Sequence, residues 1–84
     1  MAKENTAVEY FHADWCGPCE RMEPILDQLD VDITRFDVDT KRGMERANAR
    51  AVRSLPTIII VENDKPVEVL TGFKNLEELE DALE

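Results

Sequence analysis

The chain carries its only two cysteines at Cys16 and Cys19, where one apolar pattern gives way to another. Before them, Thr6 to Phe11 reads as a strand, with Val8, Tyr10 and Phe11 suited to a buried sheet. After them, Met22, Ile25, Leu26 and Leu29 recur at i, i+3, i+4 and i+7, so Cys19 to Leu29 reads as a helix with one face on a core. A strand that delivers two thiols to a helix N-terminus restricts the fold to strand–helix architectures. It restricts the chemistry as well.

The rest of the chain repeats the alternation. Val31 to Asp39 reads as a second strand, although its apolar alternation slips between Ile33 and Phe36. Lys41 to Ala51 reads as a helix with Met44, Ala47 and Ala51 inward and a solvated stripe of Arg42, Arg46 and Arg50 opposite. Thr57 to Glu62 is the most apolar run and reads as a central strand buried on both faces. A three-residue turn, Asn63-Asp64-Lys65, joins it to a partly exposed strand, Pro66 to Thr71, in a hairpin. Asn75 with Glu78 forms a capping-box pattern for a last helix that buries Leu76, Leu79 and Leu83. The order β-α-β-α-β-β-α places the chain in the α/β class with helices on both sheet faces. At 84 residues it is expected to be one domain over 1–84, with residues 1–5 a short disordered lead.

Composition removes several classes of partner. A net charge of −9 argues against nucleic acid, because phosphate binding needs a basic surface. No apolar stretch approaches the roughly 20 residues needed to span a bilayer. The polar start, Met1 to Thr6, has no apolar signal-peptide core, so a cytoplasmic location is expected. In that compartment two cysteines are more often catalytic or metal-binding than a structural staple. The charge is uneven: residues 41–61 hold five bases and one acid, whereas 14–40 hold eight acids and two bases. Steering of an acidic partner by the arginine stripe is the sharper reading of that segment, and a solvated helix face the plainer one.

A thiolate, not a thiol, attacks disulfides. Cys16 at a helix start would gain free N–H groups and the positive end of the helix dipole, both of which lower a thiol pKa. Gly17 permits close backbone approach, and Pro18 suits a first turn, where its missing N–H costs nothing. Cys19, one turn on, is within reach and more shielded. Cys16 is therefore the candidate nucleophile and Cys19 the candidate resolving thiol. Trp15 would screen the pair. A zinc site needs about four ligands, which two cysteines and His12 cannot supply within one chain. A purely structural disulfide across two residues would remove little chain entropy. His12 is either a proton carrier near the dithiol or a partly buried strand-end residue.

Trp15-Cys16-Gly17-Pro18-Cys19 resembles the active site of the thioredoxin family. Pro24 resembles that family's helix-kinking proline, Leu55-Pro56-Thr57 its cis-proline segment, and Gly72 a glycine that lets substrate backbone approach. The resemblance covers about residues 7–84. It implies a thioredoxin-like fold with a central mixed four-stranded sheet. It also implies that the chain reduces disulfides of protein substrates as a monomer, without a bound cofactor or metal. Recycling would come from a reductase such as thioredoxin reductase. A glutaredoxin-like role or a role as donor to ribonucleotide reductase is the alternative, and a non-catalytic binding module the third reading.

The chain departs from the family pattern in three places. It is expected to start at the strand before the dithiol, without the N-terminal strand and helix of full-length thioredoxins. The basic residue common after the second cysteine is Glu20, which with Asp14 should oppose thiolate formation at Cys16. The buried aspartate six residues before the first cysteine is Tyr10. The family's carboxylate there takes the proton from the second cysteine, so water, Tyr10 or a neighbouring carboxylate has to serve, or the step slows. Glu9 is one position off and should point to the other face of the sheet.

Overall fold

The computed structural model of the chain describes residues 5–84. Its elements are β1 (Thr6–His12), α1 (Gly17–Leu26), β2 (Asp32–Asp37), α2 (Lys41–Ala49), β3 (Thr57–Glu62), β4 (Lys65–Thr71) and α3 (Leu76–Leu83). The disordered lead expected over residues 1–5 falls outside the described residues except at Asn5. The Asn5 carbonyl accepts a hydrogen bond from the Asn63 N–H at 3.4 Å.

The strands form one four-stranded sheet in the order β2-β1-β3-β4. β1 runs parallel to β2 and antiparallel to β3, and β3 is antiparallel to β4. Strand alternation sorts β1 between two cores. Val8 and Tyr10 join Ile58 on one face, where α1 and α3 supply Cys19, Met22, Leu26 and Leu79. Phe11 joins Phe36, Ile59 and Val61 on the other, under Ala47 of α2. β3 is buried from Thr57 to Val61 because helices cover both its faces. β2 and β4 are the edges. β2 buries Phe36 alone, which explains its broken alternation: Val31 and Val38 flank the strand rather than belong to it.

The structure corrects α2. Met44 is not core: it is 51% exposed. Ala51 lies beyond the helix, exposed, with a left-handed φ of 58°. The buried positions are Gly43 and Ala47. A Cβ at Gly43 would collide with the Asp37 carbonyl, so this glycine lets the helix approach the end of β2. The arginine stripe is not simply solvated. Arg46 and Arg50 reach Glu9 on β1, at 2.7 Å and 2.9 Å. Arg42 and Arg46 lie over the Phe36 ring, at 4.6 Å and 5.2 Å from its centroid. The hydrogen bonds to Glu9 push the Arg50 guanidinium above its ordinary pKa, against the opposing pull of burial.

The hairpin and α1 boundaries also move. The hairpin turn is two residues, Asn63 and Asp64, because Lys65 already pairs with Glu62. Both turn residues have positive φ, 54° and 66°, the backbone that matches the twist of a two-residue hairpin. α1 starts at Gly17 rather than Cys19 and ends at Leu26, after which i→i−3 bonds from Gln28 and Leu29 tighten the chain. Leu29 still packs against the first core.

Candidate active site

The site forms where β1 ends and α1 begins. Cys16 is the N-cap of α1 in extended backbone, and its sulfur accepts a hydrogen bond from the Cys19 N–H at 3.2 Å. The two sulfurs are joined in a disulfide with Cα atoms 5.3 Å apart. Pro18 occupies the first turn, where no N–H is needed. Both cysteines are buried, Cys16 at 6% exposure and Cys19 at 3%. Helix geometry explains the asymmetry: the cap residue sits at the rim, while a residue one turn on faces the sheet. Pro24 lies inside α1 and leaves the Glu20 carbonyl without its i+4 donor.

Trp15 stands at the other side of the rim, 69% exposed, with its indole N–H donating to Asp39 Oδ2 at 3.0 Å. It shares a pocket of about 230 Å³ with Val38, Val52, Arg53, Ser54 and Leu55. The Leu55–Pro56 peptide bond is cis. The Pro56 carbonyl accepts the N–H of Gly72 at 2.9 Å, and Gly72 has φ 84°, a conformation that favours glycine. Trp15, Leu55, Pro56 and Gly72, far apart in sequence, thus flank the same end of the sheet as the dithiol.

Behind Cys19 stands Tyr10, with no exposed surface. Its hydroxyl donates to the Cys19 carbonyl at 2.8 Å. Burial, with Glu23 nearby, pushes the phenol well above its ordinary pKa, against a smaller opposing effect of Arg35. A phenol in that setting stays protonated and has its proton committed to a carbonyl. His12 stacks on Tyr10, ring centroids 5.3 Å apart. His12 also lines a second pocket of about 200 Å³ with Asp14, Cys16, Cys19, Glu20 and Glu23. Glu9 lies on the opposite face of the sheet, bound to Arg46 and Arg50, away from the thiols.

Glu23 and Arg35 did not stand out in the sequence. Arg35 Nε bonds Glu23 Oε1 at 2.9 Å, and Arg35 is the β2 partner of Tyr10. The available signal was spacing: Glu23 lies one helical turn after Cys19 and so shares its face. Among the described residues, no cluster of three or more His, Cys, Asp or Glu side chains is placed to hold a metal ion. Among them too, no helix is long and apolar enough to cross a membrane.

Comparison with known proteins agrees with this geometry. The thioredoxin family model matches residues 1–84. The chain is 34% identical over 86 residues to thioredoxin of Bacillus subtilis, covering 95% of this chain and 81% of that protein. It is 35% identical over 85 residues to thioredoxin of Borreliella burgdorferi, covering 96% and 69%. Among solved structures, a point-mutant thioredoxin from Halobacterium salinarum superposes with a TM-score of 0.85 at 31% identity, over 94% of this chain and 72% of that one. Oxidised mitochondrial thioredoxin 3 of Saccharomyces cerevisiae gives 0.82 at 30% identity, over 94% and 76%. On the family match and on these relatives, the chain belongs to the thioredoxin family.

Proposed function

We propose that Cys16 attacks and Cys19 resolves in the thiol–disulfide exchange that this protein catalyses. Family membership with a Cys-x-x-Cys pair makes the chain a dithiol–disulfide oxidoreductase of the protein-disulfide reductase type. The observation that supports the division of roles is the cap: the Cys16 sulfur accepts the Cys19 N–H at the helix N-terminus, where a thiolate is favoured.

In the first step the Cys16 thiolate attacks one sulfur of a substrate disulfide. The substrate S–S bond breaks, a mixed disulfide forms, and the departing sulfur takes a proton. Cys19 then attacks the Cys16 sulfur and expels the second substrate thiolate. The substrate gains two electrons and the protein keeps the Cys16–Cys19 disulfide. A reductase returns the electrons; we assign this to a thioredoxin reductase, in the cytoplasm. Trp15 and the pocket beside Leu55 would receive the substrate chain, with Gly17, Pro18, Pro56 and Gly72 keeping the approach open. Exposed apolar indole surface next to a buried sulfur suits a peptide laid across the rim.

Insulin reduction by dithiothreitol tests the reading. The wild-type chain accelerates it, Cys16→Ser abolishes the acceleration, and Cys19→Ser accumulates a mixed disulfide visible by mass spectrometry. Equal rates for wild type and Cys16→Ser would reject it.

A further inference from the structure

Resolution needs a proton acceptor. When Cys19 attacks Cys16, the Cys19–Cys16 sulfur bond forms, the Cys16–substrate bond breaks, and the bonding pair leaves on the substrate sulfur. The thiol proton of Cys19 must go elsewhere, because only the thiolate attacks. Tyr10 stands directly behind Cys19 but is already a donor, to the Cys19 carbonyl at 2.8 Å.

Four titratable side chains share the second pocket with the two cysteines: His12, Asp14, Glu20 and Glu23. Asp14 and Glu20 are exposed at the front of the site. His12 stacks on Tyr10 through its ring face and not its nitrogens, so it is the competing base in this pocket. Glu23 differs from all three. It lies four residues after Cys19 in α1, so both project from one face of the helix. Its carboxylate is fixed by Arg35 at 2.9 Å, and Arg35 is held by the register of β2 beside Tyr10. Arg35 also touches Asp27 at 3.3 Å, which braces it from the C-cap of α1. The Glu23 side chain remains 40% exposed, so a proton it takes can pass on to solvent.

We propose that Glu23 accepts the Cys19 proton across the solvent of this pocket during resolution, and that Arg35 is the positioning residue that holds it there. The inference rests on Cys19 being the resolving thiol. The groups facing Glu23 that also titrate or carry charge are His12 and Tyr10 from β1, Arg35 from β2, Asp14 from the intervening loop, Glu20 from α1 and Asp27 at its C-cap. Plain electrostatics predicts the opposite sign to proton transfer. Removing the negative charge of Glu23 would favour the Cys19 thiolate and speed resolution.

The test uses the reduced full chain and Ellman's reagent in stopped flow. The first chromophore is released in a bimolecular phase by Cys16, the second in a unimolecular phase by Cys19. Glu23→Gln is expected to slow the unimolecular phase by about ten-fold at neutral pH, less than the roughly hundred-fold of a directly bonded general base because solvent lies between Glu23 and the thiol. It should also remove the acidic inflection of that phase from the pH profile. Glu23→Asp should keep the inflection with a smaller loss. Arg35→Met should slow the same phase and Arg35→Lys restore most of it. His12→Gln should slow it less than Glu23→Gln. A unimolecular phase unchanged or faster in Glu23→Gln, or slowed more by His12→Gln, overturns the proposal alone. A first phase as fast in Cys16→Ser as in wild type overturns the thiol assignment, and this inference with it.

Discussion

Glu9 and Tyr10 are neighbours in β1, yet they do opposite work on opposite faces of the sheet. On the α2 face the sheet tolerates a buried carboxylate because two guanidiniums close on it, Arg46 at 2.7 Å and Arg50 at 2.9 Å. On the α1 face the corresponding polar atom is a neutral hydroxyl that gives its one proton to the Cys19 carbonyl. The first arrangement fixes a helix by charge and keeps that charge from the thiols. The second fixes a helix with no net charge, beside sulfurs whose reactivity depends on local charge. A single residue step along a strand therefore separates a structural ion cluster from a redox centre.

The contrast can be broken most severely at Gly43. There a side chain would meet the Asp37 carbonyl, so Gly43→Ala should lift α2 off its face and destabilise by about 3 kcal/mol in urea unfolding. The dithiol lies on the other face, so insulin reduction by the folded fraction should be little altered. Next, Glu9→Ala leaves Arg50, whose side chain is 15% exposed, without its carboxylate. The expected cost is about 2–3 kcal/mol, below that of a fully buried pair because Arg46 keeps access to water. Thiol exchange rates should again hold. If both variants slowed exchange as much as they lowered stability, the two faces would not be independent.

Tyr10→Phe tests the other side with a smaller effect, about 1 kcal/mol for a lost neutral hydrogen bond. Its pH signature sharpens the comparison. The folded-state pKa of Tyr10 is raised above its ordinary value of 10.0, so the stabilisation is complete below that value. Above it the unfolded chain ionises first, and stability falls as pH climbs towards the folded pKa. Wild type should lose stability through that alkaline range, and Tyr10→Phe should lose less. Equal slopes in urea titrations between neutral pH and pH ~11 would show that the phenol is not held neutral by the fold. The smallest change has the opposite sign. Ala51, at φ 58° just past α2, should give up to about 1 kcal/mol of stability when replaced by glycine, measured as a raised urea midpoint.

How legible each face was follows from the kind of signal it left. The dithiol face announced itself through residue types with few other uses: two cysteines around Gly17-Pro18, a tryptophan before them, and i, i+3, i+4 spacing behind. β3 was legible because burial on both faces leaves an unbroken apolar run, and α3 because Asn75 and Glu78 form the capping box they spell. The α2 face is legible at Ala47 but misleading at Met44 and Ala51, for a physical reason. Glycine carries no hydrophobic signal, so its close packing at Gly43 could not compete with Met44 as an inward residue. Arginine stems are apolar over most of their length, and here they cover Phe36 while their heads turn to a carboxylate on another element. The partner of Arg46 is 37 residues away, and the Arg35–Glu23 pair also crosses between elements. Contacts of that kind depend on register, which no local pattern carries.

The sulfur that caps α1 has a thermodynamic consequence. Folding and oxidation form a closed cycle, so any free energy by which the fold prefers the disulfide or the dithiol must appear twice. It appears once as a difference in unfolding free energy between the two redox forms. It appears again as an offset between the potential of the folded pair and that of the same pair in the unfolded chain, about 30 mV for each 1.4 kcal/mol. The N–H that Cys19 offers to the Cys16 sulfur is one term in that preference. Two urea titrations, oxidised and reduced, therefore measure a redox property without an electrode, and a substitution near the cap moves the potential only as far as it moves the two stabilities apart.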